Sequence, residues 1–118
     1  MAESAMNDDL RELQGLLVKQ SNALIDRLAD ATTTDEVRKI QDEITELNHR
    51  VTIVGNLLFT QQTAKITSAM DKVRKAKSEV DEATAEIDDL IKFLKTMTSF
   101  LMLVDKVIDT AKLLTPVA

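Results

Sequence analysis

The sequence predicts an all-α protein, and three observations support this. Glycine occurs twice and proline once among 118 residues, so little in the chain forces a helix to end. Aromatic residues make up only 3% of the chain, which suits a thin bundle filled by aliphatic side chains better than a sheet. Apolar residues also recur every three or four positions over long stretches, as the buried face of a helix requires.

The first helix is expected over about residues 8–30. Asn7 precedes two acidic residues, Asp8 and Asp9, and this combination suits a helix cap and the positive end of the helix dipole. Gln20 and Ser21 interrupt the apolar stripe that follows. The stripe consists of Leu10, Leu13, Leu17, Leu24 and Leu28.

A second helix is expected over about 35–58, after a break or sharp kink near 31–34. Three successive threonines disfavour a continued helix, and Thr33 with Glu36 has the spacing of a capping box. The end of this helix has two candidate positions, a turn at 59–64 or a stop at Gly55–Asn56. Its apolar stripe consists of Val37, Ile40, Ile44, Leu47, Val51, Val54 and Leu58.

The longest periodic stretch predicts one continuous helix over about 66–114. A helix that sustains a seven-residue repeat must place the resulting apolar seam against another helix. Each step of three or four residues in this stretch falls on an apolar side chain, and the seam consists of Ile66, Ala69, Val73, Ala76, Val80, Ala83, Ile87, Leu90, Leu94, Met97, Leu101, Val104, Ile108 and Ala111.

These elements predict a single helical domain, 1–118, built as a long antiparallel, coiled-coil-like hairpin with its first arm broken near 31–34. A turn near 62 would pair Leu58 with Ile66 and place Arg38 beside Glu86, in arms about 75 Å long at 1.5 Å per residue. The alternative folds helix 8–30 back on helix 35–58. That arrangement is a compact three-helix bundle from which the C-terminal helix protrudes.

The seam widens from Leu90 onward, where large apolar side chains occupy about three positions per heptad. One partner helix cannot cover so wide a face, and soluble monomers rarely expose one. We therefore predict that the chain binds itself, as a homodimer or homotetramer, or binds another helical protein. The expected interaction residues are Leu90, Phe93, Leu94, Met97, Phe100, Leu101, Val104, Val107, Ile108 and Leu114.

The composition argues against an enzyme and against a bound cofactor or metal. There is no cysteine, one histidine and no glycine-rich phosphate loop, so we expect no catalytic residues. Glu46 and His49 have the i, i+3 spacing found in dinuclear metal bundles, with Glu79 as a possible bridge. Because both residues lie opposite the Ile44–Leu47–Val51 seam, we expect them to face solvent rather than a metal.

Nucleic acid is not an expected partner either. The basic cluster Lys72, Arg74, Lys75 and Lys77 is followed at once by acidic residues, and the chain has a net charge of −5. No aromatic side chain lies near the cluster to stack on a base.

The sequence predicts a soluble, cytoplasmic protein without a signal peptide or a membrane span, since no apolar run approaches the roughly 20 residues that a bilayer requires. The predicted function is a non-enzymatic, homo-oligomeric scaffold or adaptor, or a subunit of a larger assembly. Two alternatives stay open. Residues 91–114 could form an amphipathic helix at a membrane surface, which is not favoured, or the chain could be a small inhibitor, of the immunity type, that caps another protein.

Overall fold

The computed structural model describes residues 6–87 and 89–114, which form four α-helices and contain no strand. The prediction of an all-α fold is confirmed. The helices are α1 (Asp8–Leu28), α2 (Thr34–Gly55), α3 (Ala64–Ala85) and α4 (Leu90–Leu114).

Side-chain caps start the first two helices where the sequence predicts them. The Asn7 side-chain oxygen accepts a hydrogen bond from the backbone N–H of Leu10 at 3.0 Å. The Thr33 hydroxyl oxygen accepts one from the backbone N–H of Glu36, also at 3.0 Å. The break predicted near 31–34 is confirmed, because residues 29–33 lie between the two helices.

The four helices pack as two pairs. α1 packs mainly against α2 and α3 mainly against α4, and the pairs meet through α1 with α3 and through α2 with α4. The molecule measures 52 × 24 × 22 Å. Side-chain hydrogen bonds show that α1 and α3 run parallel: Thr67 to Asp9 near their starts (2.6 Å), Gln20 to Asp81 farther along (2.7 Å), and Arg27 to the Ala85 carbonyl at the end (3.3 Å).

The prediction of one helix over 66–114 is wrong. α3 ends at Ala85 and α4 begins at Leu90. A carboxylate starts the new helix, since Asp89 Oδ1 accepts the backbone N–H of Lys92 at 3.1 Å. The spacing concealed this break, because Ile87 and Leu90 lie three residues apart and continue the apolar seam across the connection.

The long hairpin is therefore not confirmed. α2 packs against α1 and α4 rather than mainly along α3, and the longest dimension of 52 Å is shorter than the expected arms. In the three-helix alternative the first two helices do fold back on each other, as observed. The C-terminal helix, however, packs into the bundle rather than protruding from it.

The connection from α2 to α3 covers residues 56–63. Of the two positions that the sequence left open, α2 stops at Gly55–Asn56, and the connection then runs through most of the other, 59–64. α2 ends at Gly55 with Asn56 as its C-cap. Asn7 ties this loop to the start of α1: its backbone N–H donates to the Leu58 carbonyl at 2.6 Å, and its side-chain amide donates to the carbonyls of Thr60 and Gln61.

Buried apolar side chains from all four helices form one continuous core. The two polar interruptions in the α1 stripe lie in helix–helix contacts. Gln20 reaches α3, and the Ser21 hydroxyl donates to Asn48 on α2 at 3.0 Å. Because both side chains are bonded, each can be buried without leaving an unsatisfied polar group.

None of the helices in residues 6–87 and 89–114 is both long enough and apolar enough to cross a membrane. Residues 1–5, on which the expectation of no signal peptide partly rests, lie outside the described residues.

Candidate interaction surface on α4

The bundle itself covers most of the face that the sequence assigned to a partner. Leu90 and Leu94 are half-buried, and Leu114 is exposed. The other seven predicted interaction residues are buried in the core of the single chain: Phe93, Met97, Phe100, Leu101, Val104, Val107 and Ile108. Seven of the ten side chains that were expected to contact a partner are thus covered by the chain's own helices. A wide apolar face does need several partner helices, but here they belong to the same chain.

A different face of α4 carries exposed apolar side chains. Ile91, Met102 and Leu113 are 73%, 68% and 87% exposed. They are spaced by eleven residues, or three helical turns, so they lie within about 40° of one another and about 16 Å apart along the helix. We call these three residues the α4 row.

The α4 row holds three of the four most exposed large apolar side chains among the described residues. Val18 and Ile25 on α1 are less exposed, at 41% and 49%, and Phe59 lies in the α2–α3 loop. Sequence reasoning missed the row because it followed the seven-residue seam, which carries the buried side chains. The eleven-residue spacing was the signal that could have revealed it.

One basic, one acidic and one hydroxyl side chain lie between the members of the row. Lys95, Thr98 and Asp109 are all exposed on this side of α4. Within the part of the chain that the structure describes, no ion pair uses Lys95 or Asp109. Their charges are available to a partner.

Two open depressions, of about 260 and 310 Å³, lie beside the row between α3 and α4. The small side chains of Ala69 and Ala76 leave space there. The first depression is lined by Ala76, Glu79, Val80, Lys95, Thr96, Ser99, Phe100 and Leu103, and the second by Lys65, Ser68, Ala69, Lys72, Lys106, Thr110 and Leu113.

The residues considered for a metal do not converge. Glu46 lies 2.9 Å from Arg50 in an ion pair, and His49 is exposed on the same helix. Among residues 6–87 and 89–114, no three histidine or acidic side chains come together in a way that could hold a metal ion.

One charged cluster joins α1 to α3, and we call it the Arg74 cluster. The Arg74 guanidinium donates hydrogen bonds to the carboxylates of Asp9, Glu12 and Asp71. Its bonds to Glu12 first, and then to Asp9, raise the pKa of Arg74 further above its ordinary value. Burial would raise the pKa of Asp9, but hydrogen bonds from Thr67, Arg74 and Gln62 outweigh it and hold this pKa below its usual value.

A second charged cluster joins α2 to α4, and we call it the Arg50 cluster. Arg50 donates two parallel bonds to Asp105, at 2.8 and 3.0 Å, and a third to Glu46. The bonds to Asp105 are the main cause of its raised pKa. Nearby, burial first and then Glu46 and Asp42 raise the pKa of Glu43.

The predicted basic cluster is partly used within the fold. Arg74 belongs to the Arg74 cluster, and Lys77 pairs with Asp81 at 3.3 Å. Lys72 and Lys75 are exposed. Half of the cluster is therefore neutralised by the chain's own carboxylates.

No protein-family model, curated protein or solved structure matches this chain. Its function is therefore inferred from its residues and their geometry.

Proposed function

We propose that this protein is a non-enzymatic helical bundle that works by association with a second copy of itself, as a scaffold or as a subunit of a larger assembly. The observation that supports the proposal is the α4 row, three large apolar side chains that the fold leaves on one helix face. A symmetric dimer buries the same patch on both copies, so a single row suffices to form the interface.

The expected affinity is modest. Burying one such side chain contributes about 1.5–3 kcal/mol, and two rows supply six of them. Association itself costs about 4–15 kcal/mol, which offsets much of that gain. The dimer should therefore form with a dissociation constant in the micromolar range or above, and its population should depend strongly on protein concentration.

Light scattering coupled to size-exclusion chromatography, over loading concentrations from about 10 µM to 1 mM, tests this proposal. We expect the mass to rise from monomer to dimer with concentration. Met102→Glu, at the centre of the row, should keep the chain monomeric throughout. Ile25→Glu, a matched change on the outer face of α1, should leave the dimer intact. A wild-type chain that stays monomeric at the highest concentration would refute the proposal, as would an unaffected Met102→Glu dimer.

Contact with a membrane surface through residues 91–114 is the second candidate. It is supported by Lys95 and Lys106, which are exposed close to the row and could bind anionic lipid headgroups while the apolar side chains enter the interface. Co-sedimentation with vesicles of anionic and of neutral lipids separates the two functions. Lipid binding that Met102→Glu abolishes, from a chain that is monomeric alone, would favour the membrane.

A further inference from the structure

We infer that two copies pair through α4 in antiparallel orientation, with Met102 of both copies at the two-fold axis and Lys95 of each copy against Asp109 of the other. This inference rests on the proposed self-association and specifies its geometry. In such a pair, a residue a given number of positions before Met102 faces the residue the same number of positions after it. Ile91 and Leu113 each lie eleven residues from Met102, so each apolar side chain of the row meets another.

The charges between the apolar residues follow the same symmetry. Lys95 and Asp109 each lie seven residues from Met102, which places them on the same side of the helix as the row. Both are exposed, and no ion pair within the described part of the chain occupies either of them. A two-fold dimer would therefore form two identical ion pairs, one at each end of the apolar centre.

A parallel pair would also bring the apolar residues of the two rows together, but it would bring like charges together as well. In that arrangement each residue faces its own copy, so Ile91, Met102 and Leu113 would again meet apolar partners. Lys95 would then face Lys95, and Asp109 would face Asp109. Like charges placed directly against each other disfavour such an interface, so the charges select the antiparallel orientation.

Asp105, the other acidic residue of α4, does not compete with Asp109 for Lys95. Asp105 is held by two bonds to Arg50, on the side of α4 that faces α2. The opposite flank of α4 faces α3, where Lys95 borders the smaller depression. The row thus lies on the solvent-facing side of α4, between the flank that faces α2 and the flank that faces α3. A second α4 can therefore approach it from solvent.

Cysteine cross-linking tests the orientation directly, because the chain contains no cysteine. Antiparallel helices in contact bring residues at the two-fold axis within reach of a disulfide. We expect Met102→Cys to form a covalent dimer on mild oxidation. Ile91→Cys alone and Leu113→Cys alone should not, whereas an equimolar mixture of the two should cross-link to each other. Ile25→Cys on α1 is the control for random collision and should stay monomeric.

Charge reversal tests the ion pairs. Lys95→Glu and Asp109→Lys should each weaken dimerisation by about ten-fold, since each change converts two attractions into two repulsions. The double variant carries the reversed pair and should recover most of the wild-type affinity. Circular dichroism establishes that each variant keeps its helices.

The outcomes distinguish a failure of the antiparallel pairing from a failure of self-association itself. A dimer by light scattering in which Ile91→Cys cross-links to itself would overturn the antiparallel pairing and leave self-association standing. A dimer without cross-linking at Met102, or a double variant as weak as the single ones, would also overturn the inferred geometry. A monomer at all concentrations would refute both.

Discussion

The Arg74 cluster and the Arg50 cluster join the same two helical pairs, but the buried charge has opposite sign in the two. In the Arg74 cluster the buried member is an acid, since the Asp9 side chain is 8% exposed and Arg74 33%. In the Arg50 cluster it is the base, since Arg50 is 13% exposed and Asp105 48%. The cost of breaking an ion pair depends mainly on the charge that stays buried without its partner. The two clusters should therefore respond differently to loss of their arginine or their carboxylate.

The largest effect is expected from Arg74→Met. This change keeps the aliphatic stem of Arg74 but leaves the buried Asp9 carboxylate with only Thr67 and Gln62 as donors. We expect a loss of about 2–4 kcal/mol in the free energy of unfolding, measured by urea denaturation at pH 7. Lys75→Met, at the exposed neighbouring position, is the control and should change it by less than about 0.5 kcal/mol. A loss below about 1 kcal/mol for Arg74→Met would show that Asp9 does not need its arginine.

A smaller effect is expected from Asp105→Asn in the other cluster. Arg50 loses its two parallel bonds to a carboxylate but keeps Glu46, and its charge can still be partly solvated. We expect a loss of about 1–2 kcal/mol in the same denaturation experiment. Asp26→Asn, on the exposed side of α1, provides the matched control. A loss larger than that of Arg74→Met would reverse the order that burial predicts.

The sequence contained the local features of this fold but not the contacts between the pairs. Asn7 and Thr33 act through residues three positions away, so spacing alone identified both caps. The bond from Arg74 to Asp9 spans 65 positions and depends on how α1 and α3 align. Pairing the two halves as one hairpin placed Arg38 beside Glu86 instead, because charge patterns on amphipathic helices fit more than one alignment.

The candidate surface was missed for a related reason. Periodicity identifies the apolar face of a helix but does not tell whether that face meets another chain or the same one. Phe93 and Phe100 are buried at 0% and 1% exposure because a short connection lets α3 and α4 fold together. Asp89 was the available signal for that connection, a capping residue directly before an apolar run. Once those side chains are buried, the residues outside the seam decide what the surface can bind.

The stability of the fold should depend on pH in opposite ways through Asp9, whose pKa is lowered, and Glu43, whose pKa is raised. The pKa of Asp9 is lowered on folding, so its contribution to stability is present above about pH 4 and is lost as the pH falls further. The pKa of Glu43 is raised, so its contribution is present below about pH 4 and is lost as the pH rises through the folded value.

Thermal and urea unfolding between pH 2.5 and 7 measure these contributions. Asp9→Asn should be less stable than wild type at pH 7, and the difference should shrink as the pH falls below about 4. Glu43→Gln should be more stable than wild type at pH 7, and its advantage should also shrink on acidification. Parallel curves for either variant and wild type would mean that its carboxyl does not titrate differently in the folded chain.

The smallest effect is expected from Glu12→Gln, although Glu12 accepts more hydrogen bonds from Arg74 than Asp9 does. The Glu12 side chain is 47% exposed, so water replaces the lost interaction and leaves no buried charge behind. We expect a loss of about 0.2–1 kcal/mol at low salt, and less at about 0.5 M salt, where charges are screened within a few ångströms. If bond number rather than burial set the energy, Glu12→Gln would cost more than Asp9→Asn at pH 7. We expect the reverse, because Asp9 is the carboxylate that water cannot readily reach.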